Sequence, residues 1–166
     1  MKKIIAFMMA AVMAVSMVAC GGGESAPAYD VNEVLAKIEE VAPVRMAAPM
    51  EDEYMEFLGI TSDMFDDYAG SFCMVSPGVD AIAVVLAKDG KVEDVKAALQ
   101  AQKDYLATSN SNYNPVYTEA CNEGRLVVKG NYVVLVIHCG DEETFDKLGA
   151  DQIYAPIDAA IEEAFK

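Results

Sequence analysis

The sequence has few basic side chains. Its 166 residues include 12 Lys and Arg against 27 Asp and Glu, which gives a formal net charge of -15. Contacts to nucleic-acid phosphates need Lys and Arg, so this balance argues strongly against nucleic acids and other polyanions as partners. The same excess of negative charge repels an anionic membrane surface. Attachment to a bilayer is therefore expected through a lipid only.

Motifs of catalytic and cofactor sites are also missing. His138 is the only histidine and the cysteines lack metal-ligand spacing, so we predict no metal and no cofactor. The glycines at 21–23 follow no predicted strand, so they are not a phosphate loop, and no nucleophile elbow is present. His138 and Cys139 alternate along a predicted strand and point to opposite faces, so they cannot pair as base and nucleophile. A dyad of Cys73 with His138 is the catalytic arrangement left to test, and we predict no catalytic residue.

Carboxylates are grouped at two places. Residues 51–53 read Glu-Asp-Glu, and Asp63 precedes Asp66 and Asp67. Calcium takes several oxygen ligands, but residues 63–67 lack the alternating ligand spacing of an EF-hand loop. Acids at 51–53 suit a helix N-terminus. We therefore favour solvated faces and keep a cation-binding surface protein as an alternative.

The apolar N-terminal segment ends at a cysteine. Lys2 and Lys3 give a basic start, residues 4–18 are apolar or small over the length of a signal h-region, and Ala19 precedes Cys20. This pattern resembles the lipobox of bacterial lipoproteins, in which the cysteine thiol takes a diacylglycerol and the preceding peptide bond is cut. The resemblance implies lipidation of Cys20 and a stable anchor, since two acyl chains hold a protein to a membrane.

Two other interpretations of this segment were weighed against lipidation. An uncleaved spanning helix needs about 20 apolar residues, more than are present, and a plain secretory signal would leave Cys20 as a free thiol. We predict a lipoprotein signal peptide over 1–19, the lipidated Cys20 with a flexible linker over 20–29, and a single acidic domain over 30–166. The linker reaches on the order of 15 Å as a random coil. The predicted location is the extracytoplasmic face of the cell membrane.

The remaining cysteines are odd in number. Cys73, Cys121 and Cys139 leave at least one thiol unpaired. One disulfide is compatible with an extracytoplasmic setting, but free cysteine is among the most buried residue types, so we favour core positions for all three.

Apolar periodicity predicts helices first and then strands. Gly130 and Asn131 form a two-residue hairpin turn that pairs Lys129 with Tyr132 and Leu126 with Leu135. A one-residue slip would bury Lys129, so the register is well determined. The predicted helical segments are 31–42, 51–58, 61–70, 92–106 and 142–165 with a break at Gly149. The predicted strands are 72–75, 81–88, 125–129 and 132–137, with irregular chain at 44–50 and 108–115 and a helical turn near 117–121.

This order predicts an α+β fold. It has one four-stranded antiparallel sheet in ββαββα order, with helices packed on at least one face and short N-terminal helices before it. The sheet face that carries Val127, Tyr132, Val134 and Val136, to which we also assigned Ala83 and Val85, is an interaction-face hypothesis. An exposed patch of this kind marks partner binding or self-association. The alternative is that the N-terminal helices cover it.

Three stretches carry a resemblance to a family. They are Tyr68-Ala69-Gly70, AVVLAKDGKVEDVK at 83–96 and GRLVVKGNYVVLVI at 124–137. The chain resembles the lipoproteins grouped as domain of unknown function 4358. That resemblance implies a lipobox, a Gly-rich linker and an acidic domain of this length in Gram-positive bacteria, with no catalytic residues to carry over.

The functional hypothesis is a membrane-anchored, non-enzymatic domain that binds a protein or small ligand at the cell surface, with a homo-oligomer as a further outcome. The alternatives are a small enzyme that uses the thiol of Cys73, Cys121 or Cys139, and the cation-binding surface protein.

Overall fold

The computed structural model describes residues 29–166. The predicted signal peptide, Cys20 and most of the linker lie outside the described residues, so lipidation stays a prediction. The elements of the described part are α1 (Val31–Glu39), β1 (Ala47–Pro49), α2 (Asp52–Phe57), β2 (Phe65–Cys73), β3 (Ala81–Ala87), α3 (Val92–Asn110), α4 (Pro115–Glu123), β4 (Arg125–Lys129), β5 (Tyr132–Ile137), α5 (Glu142–Leu148) and α6 (Ala150–Ala164).

The α+β class and the antiparallel sheet are confirmed, but the sheet of the described residues has five strands in the order β1-β2-β3-β5-β4. The prediction of four strands was wrong, and the predicted ββαββα order is not confirmed. The prediction missed β1, gave α4 only as a helical turn near 117–121, and placed another helical turn where β2 begins. Pairing with β3 gives β2 its hydrogen bonds, which overrides the weak local preference of residues 65–68. A three-residue strand such as β1 has no periodicity to detect.

The hairpin prediction is confirmed in position and register. Lys129 pairs with Tyr132, and Leu126 pairs with Leu135. Gly130 has a φ of 60°, which a residue without Cβ adopts at no steric cost. The turn chemistry and the apolar alternation therefore fixed this element together.

The assignment of Ala83 and Val85 to the face of Val134 was wrong. Directly opposed residues of antiparallel strands share a face, and Val134 lies opposite Val84, whereas Val85 lies opposite Val133. The physical reason is that β3 is nearly buried on both faces. Such a strand has no polar alternation that would tell one face from the other.

Helices α1 and α6 cover the face that carries Val134. Ser71 of β2 donates a hydrogen bond to Glu39 of α1, and Arg125 of β4 binds Asp158 of α6. Val134 and Val136 are 0% exposed, and burial of each such side chain contributes about 1.5–3 kcal/mol.

The covered face corrects the expectation of an exposed patch. Tyr132 is also buried, and Val127 is half-buried. Of the two alternatives, the covered sheet describes this chain. The C-terminal helix α6 joins α1 in covering this face, whereas that alternative assigned the cover to the two N-terminal helices.

The opposite face is covered by α2, α3 and α4. The Tyr54 hydroxyl of α2 accepts a hydrogen bond from Gln102 of α3 at 3.4 Å. A Cβ on Gly70 would lie 2.6 Å from the Met50 sulfur, so glycine is what lets the segment before α2 approach the sheet. The described chain is thus a three-layer sandwich with its core on both sheet faces.

Candidate functional site

Five polar side chains meet at one end of the sheet. Arg45 precedes β1, Asp80 precedes β3 and His138 follows β5, while Tyr117 lies on α4 and Glu142 in the first turn of α5. We call these five residues the sheet-end cluster. It gathers the only histidine of the chain and the buried carboxylate of Asp80, so it is the first candidate for a site.

Asp80 is the centre of the sheet-end cluster. It is 1% exposed, and its Oδ1 accepts hydrogen bonds from the backbone N–H of Cys139 at 2.6 Å and of Gly140 at 3.0 Å. Its Oδ2 lies 3.3 Å from Nε of Arg45. Removing a carboxylate from water costs on the order of several kcal/mol, so a buried carboxylate needs hydrogen bonds or an opposite charge that offset this cost. The contacts satisfy Asp80 and fasten the turn after β5.

Tyr117 and Asn114 hold Glu142. The Tyr117 hydroxyl donates to Oε1 of Glu142, and the Asn114 amide donates to Oε2 at 2.8 Å. Burial and the bond to Glu142 raise the pKa of Tyr117, so its hydroxyl stays protonated at neutral pH. This part of the cluster joins α4 to α5.

His138 is the least satisfied member of the cluster. Its side chain is 13% exposed, and its Nδ1 lies 3.7 Å from Oδ1 of Asp80, which is too long for a hydrogen bond. That Nδ1 is buried and has no hydrogen-bond partner in the described structure. Burial lowers the pKa of His138, an effect that Asp80 opposes and Arg45 adds to. The imidazole is therefore neutral at pH 7.

The three thiols of the described region are free. The predicted core positions are confirmed for Cys121 and Cys139 and were wrong for Cys73, which lies at the end of β2 and is only partly buried. Cys121 and Cys139 are buried, and burial raises the pKa of each thiol to about 12. A thiol with such a pKa is a poor nucleophile at neutral pH. Cys73 is only partly buried, and its Sγ donates to the Val75 carbonyl at 3.8 Å. Among the described residues its thiol makes no hydrogen bond to His138.

The sheet-end cluster therefore has a structural role, in which it joins the end of the sheet to the turn after β5 and joins α4 to α5. Its carboxylates are occupied by backbone N–H groups, Arg45, Tyr117 and Asn114. Sequence analysis singled out His138 and the thiols but missed Asp80 and Arg45. A lone Asp directly before an apolar strand was the available signal.

A groove lies along the edge of the sheet, between β1 and α2. It encloses about 440 Å³ and is lined by Ala48, Pro49, Glu51, Glu53, Tyr54, Phe57 and Phe72. We call it the aromatic groove. The rings of Tyr54 and Phe72 stack with centroids 4.2 Å apart and form its floor. Phe57 is 69% exposed, and its ring centroid lies 6.0 Å from that of Tyr54.

The rim of the aromatic groove is acidic. Glu51 and Glu53 are exposed, and Glu51 makes no side-chain capping bond to α2. Asp52, between them, instead accepts a hydrogen bond from the Tyr68 hydroxyl at 2.6 Å. Burial and this bond raise the pKa of Tyr68 to about 12. Within residues 29–166 the carboxylates of Glu51 and Glu53 thus have no side-chain partner, and the groove lining includes neither Lys nor Arg.

The backbone of β1 is open on its outer side. Hydrogen bonds from Met50 to Gly70 and from Met74 to Met46 turn the even-numbered residues of this segment towards β2. The N–H and carbonyl groups of Ala47 therefore point to the free edge, because alternate residues of a strand bond to opposite sides.

Sequence analysis missed the aromatic groove. It interpreted residues 51–53 as acids of a helix start, which is where they lie, and it attached no role to Phe57. Tyr54 and Phe57 stand three residues apart in a short helix, and this spacing alone does not tell an exposed ring from a buried one. The stacking of Tyr54 on Phe72 is a tertiary contact that depends on the undetected strand β1.

Residues 29–166 contain neither a cluster of metal ligands nor a membrane-spanning helix. Over residues 29–166, no three side chains of His, Cys, Asp and Glu come together in a way that could hold a metal ion. In the same residues, no helix combines the length and the apolar character needed to cross a membrane.

The family model described as Domain of unknown function (DUF4358) matches residues 39–138, more than half of the chain. The matched region contains all five strands and the whole aromatic groove, and it ends at His138, before Glu142. No curated protein and no solved structure matches the chain.

Proposed function

The chain belongs to the family described as Domain of unknown function (DUF4358), and we propose that it is a non-enzymatic binding domain that engages a partner through the aromatic groove. In this proposal the domain is a lipoprotein, held at the extracytoplasmic face of the cell membrane by a diacylglyceryl group on Cys20. The family description names no activity, so the proposal rests on the residues of the groove.

The observation that carries the proposal is the exposed aromatic surface of the groove. Phe57 is 69% exposed although it lies beside Tyr54 and Phe72. Aromatic rings contribute a large share of the energy of protein interfaces, and recognition sites commonly enclose roughly 300–1,000 Å³. At about 440 Å³, the groove falls in that range and has an apolar floor with a polar rim.

Thiol chemistry is the weaker hypothesis. The pKa of about 12 for Cys121 and for Cys139 keeps both thiols protonated. The Cys73 thiol donates a hydrogen bond to the Val75 carbonyl. A nucleophilic cysteine needs a neighbouring base or cation that stabilises its thiolate.

The position of the groove suits a tethered domain. Tyr29, at the end of the predicted linker, donates its N–H to the Tyr132 hydroxyl at 2.8 Å and its own hydroxyl to the Phe165 carbonyl at 2.9 Å. Tyr132 begins β5, whereas Phe72 of the groove lies opposite Ala81 at the other end of the strands. The tether and the groove are therefore separated by about the length of a strand, roughly 17 Å at 3.3 Å per residue, so the tether does not start at the groove.

Site-specific crosslinking on intact cells tests this function. A photo-crosslinking amino acid replaces Phe57 in one strain and Leu148, an exposed residue on α5, in the control strain. We expect one saturable crosslinked partner from position 57 and none from position 148, and the purified partner should bind the purified chain. Equal crosslinking from both positions, or none from position 57 at normal expression, would contradict the proposal.

A further inference from the structure

We propose that the occupant of the aromatic groove is a Lys or Arg side chain, presented by an extended basic segment of a partner protein. This inference rests on the proposed function of the groove and adds the chemistry of the partner. It follows from three features of the groove, which are its charge, its floor and its open strand edge.

The charge of the groove selects a cation. Glu51 and Glu53 are exposed on the rim, and neither makes a salt bridge within the described residues. The groove lining contains no basic side chain, and the whole chain carries a formal net charge of -15. Long-range attraction of a basic partner therefore adds to the local pairing, and it raises the rate of association.

The floor of the groove suits the rest of a Lys or Arg side chain. Cations bind favourably over the faces of Tyr and Phe rings, and the exposed ring of Phe57 lies next to the two carboxylates. Ala48 and Pro49 offer apolar contact to the methylene groups, which Lys and Arg bury readily while the charged end stays near water. A carboxylate ligand would meet two like charges, and an uncharged apolar ligand would leave Glu51 and Glu53 without a partner.

The edge of β1 favours an extended segment. The backbone of Ala47 is free to pair with an added strand, the mode in which edge strands recruit peptides. Pro49 has no N–H, so pairing stops there, and this fixes where the segment lies relative to the groove. Met46 is 73% exposed and Met74 is 64% exposed, and they extend the apolar surface beyond the paired residue.

A second copy of this chain fits the groove poorly. Its net charge of -15 opposes self-association, and several of its basic side chains already pair with its own carboxylates, among them Arg125 with Asp158 and Lys129 with Glu162. The occupant is therefore a different protein that has unpaired basic residues.

A peptide of alternating Thr and Lys, six residues long and capped at both ends, tests the inference. It is titrated against the full chain held in phosphatidylcholine nanodiscs, with empty nanodiscs as background, and binding is followed by fluorescence anisotropy. The same peptide with Gln or Glu in place of Lys separates charge from shape, and maltohexaose replaces the peptide to test a glycan. We expect binding of the Lys peptide only, weakening as salt is raised.

The decisive variants change charge and aromatic surface separately. E51Q with E53Q removes both rim charges, and we expect roughly tenfold weaker binding from two exposed pairs. The matched control, E119Q with D151N, makes the same change in net charge at a groove of about 510 Å³ between α4 and α6, whose lining has no aromatic residue, and it should leave binding within about twofold. F57L should weaken binding roughly threefold through the lost cation and ring contact. Thermal unfolding of each variant establishes that the fold is intact.

Several outcomes overturn the inference. Equal binding of the Lys and Gln peptides, equal loss in the control variant, or preferential binding of maltohexaose would each remove the basic segment as occupant. If the Lys peptide does not bind while the crosslinker at position 57 still captures a partner, the cationic chemistry is wrong and the groove function stands. If neither occurs, both proposals fail.

Discussion

The ring of Tyr54 stacks on the ring of Phe72 with centroids 4.2 Å apart and an angle of 12° between their planes. This contact joins the short helix α2 to β2 and holds the rings that form the floor of the aromatic groove. Burial raises the pKa of Tyr54, whereas Phe57 on the same helix stays exposed. A packed ring and an exposed ring thus lie side by side on α2.

Removal of the Asp80 carboxylate should destabilise the fold strongly. Asp80→Ala leaves two backbone N–H groups and Arg45 without their partner, so we expect a loss of about 3–5 kcal/mol in the free energy of unfolding. Asp80→Asn, which keeps an acceptor oxygen, should lose less. Urea denaturation measures both.

The control for Asp80 is Asp158, which pairs with Arg125 but has a side chain that is 47% exposed. Asp158→Ala should cost about 0–1 kcal/mol because water already screens the pair. Equal losses in the free energy of unfolding for Asp80→Ala and Asp158→Ala would show that the sheet-end cluster does not stabilise the fold.

His138 should make the fold less stable below about pH 6.5, its unfolded pKa. Burial lowers the folded pKa of His138 below that value, so between the two values the unfolded chain binds a proton that the folded chain does not. The free energy of unfolding therefore falls as the pH falls through this window. Urea denaturation between pH 7.5 and pH 5.5 measures the slope, and His138→Gln should flatten it. Equal slopes for the two proteins would contradict the assignment.

The acidic side chains set the lowest pH at which the effect of His138 on stability can be measured by itself. Hydrogen bonds to the carboxylates lower the pKa of Asp30 and of Asp141, so their stabilising effect is lost only as the pH falls towards their lowered folded values. Measurements above about pH 5 therefore isolate the histidine.

The thiols should differ in reactivity. Cys121 and Cys139 are buried with a pKa of about 12, so we expect iodoacetamide at pH 8 to label them only after denaturation, whereas the partly buried Cys73 reacts first. Mass spectrometry of the labelled protein distinguishes the three sites. Rapid labelling of Cys121 or Cys139 in the folded protein would favour the enzyme alternative.

The predicted anchor depends on one side chain. Cys20→Ala should move the protein from the membrane fraction to the soluble extracytoplasmic fraction, because an anchor of two acyl chains is lost. The purified domain should keep the urea denaturation curve of the wild type. Continued fractionation of the variant with membranes would mean that the N-terminal segment holds the protein in another way.

Sequence patterns predicted the elements in which local signals agree. The hairpin around Gly130 combined turn chemistry with alternation of apolar residues. The first part of β2 was missed because residues 65–68 carry a helix-like spacing of apolar residues, which pairing with β3 overrides. Sequence spacing could not show whether α6 or α2 covers Val134, because that depends on packing between distant elements.

The aromatic groove could not be predicted from the sequence, because it also depends on packing between distant elements. Each lining residue has an ordinary local role, whether as helix acid, strand residue or turn proline. Only the pairing of Ala48 with Phe72 and the stacking of Tyr54 bring them to one place.

The most direct test of the groove is an amide chemical-shift map of the isotope-labelled full chain during titration with the Thr and Lys peptide. The account predicts that the largest changes fall on Ala47, Ala48, Tyr54, Phe57 and Phe72, and that E51Q with E53Q reduces them. Changes centred on α4 to α6 or on β4, with residues 47–57 and 72 unmoved, would contradict it.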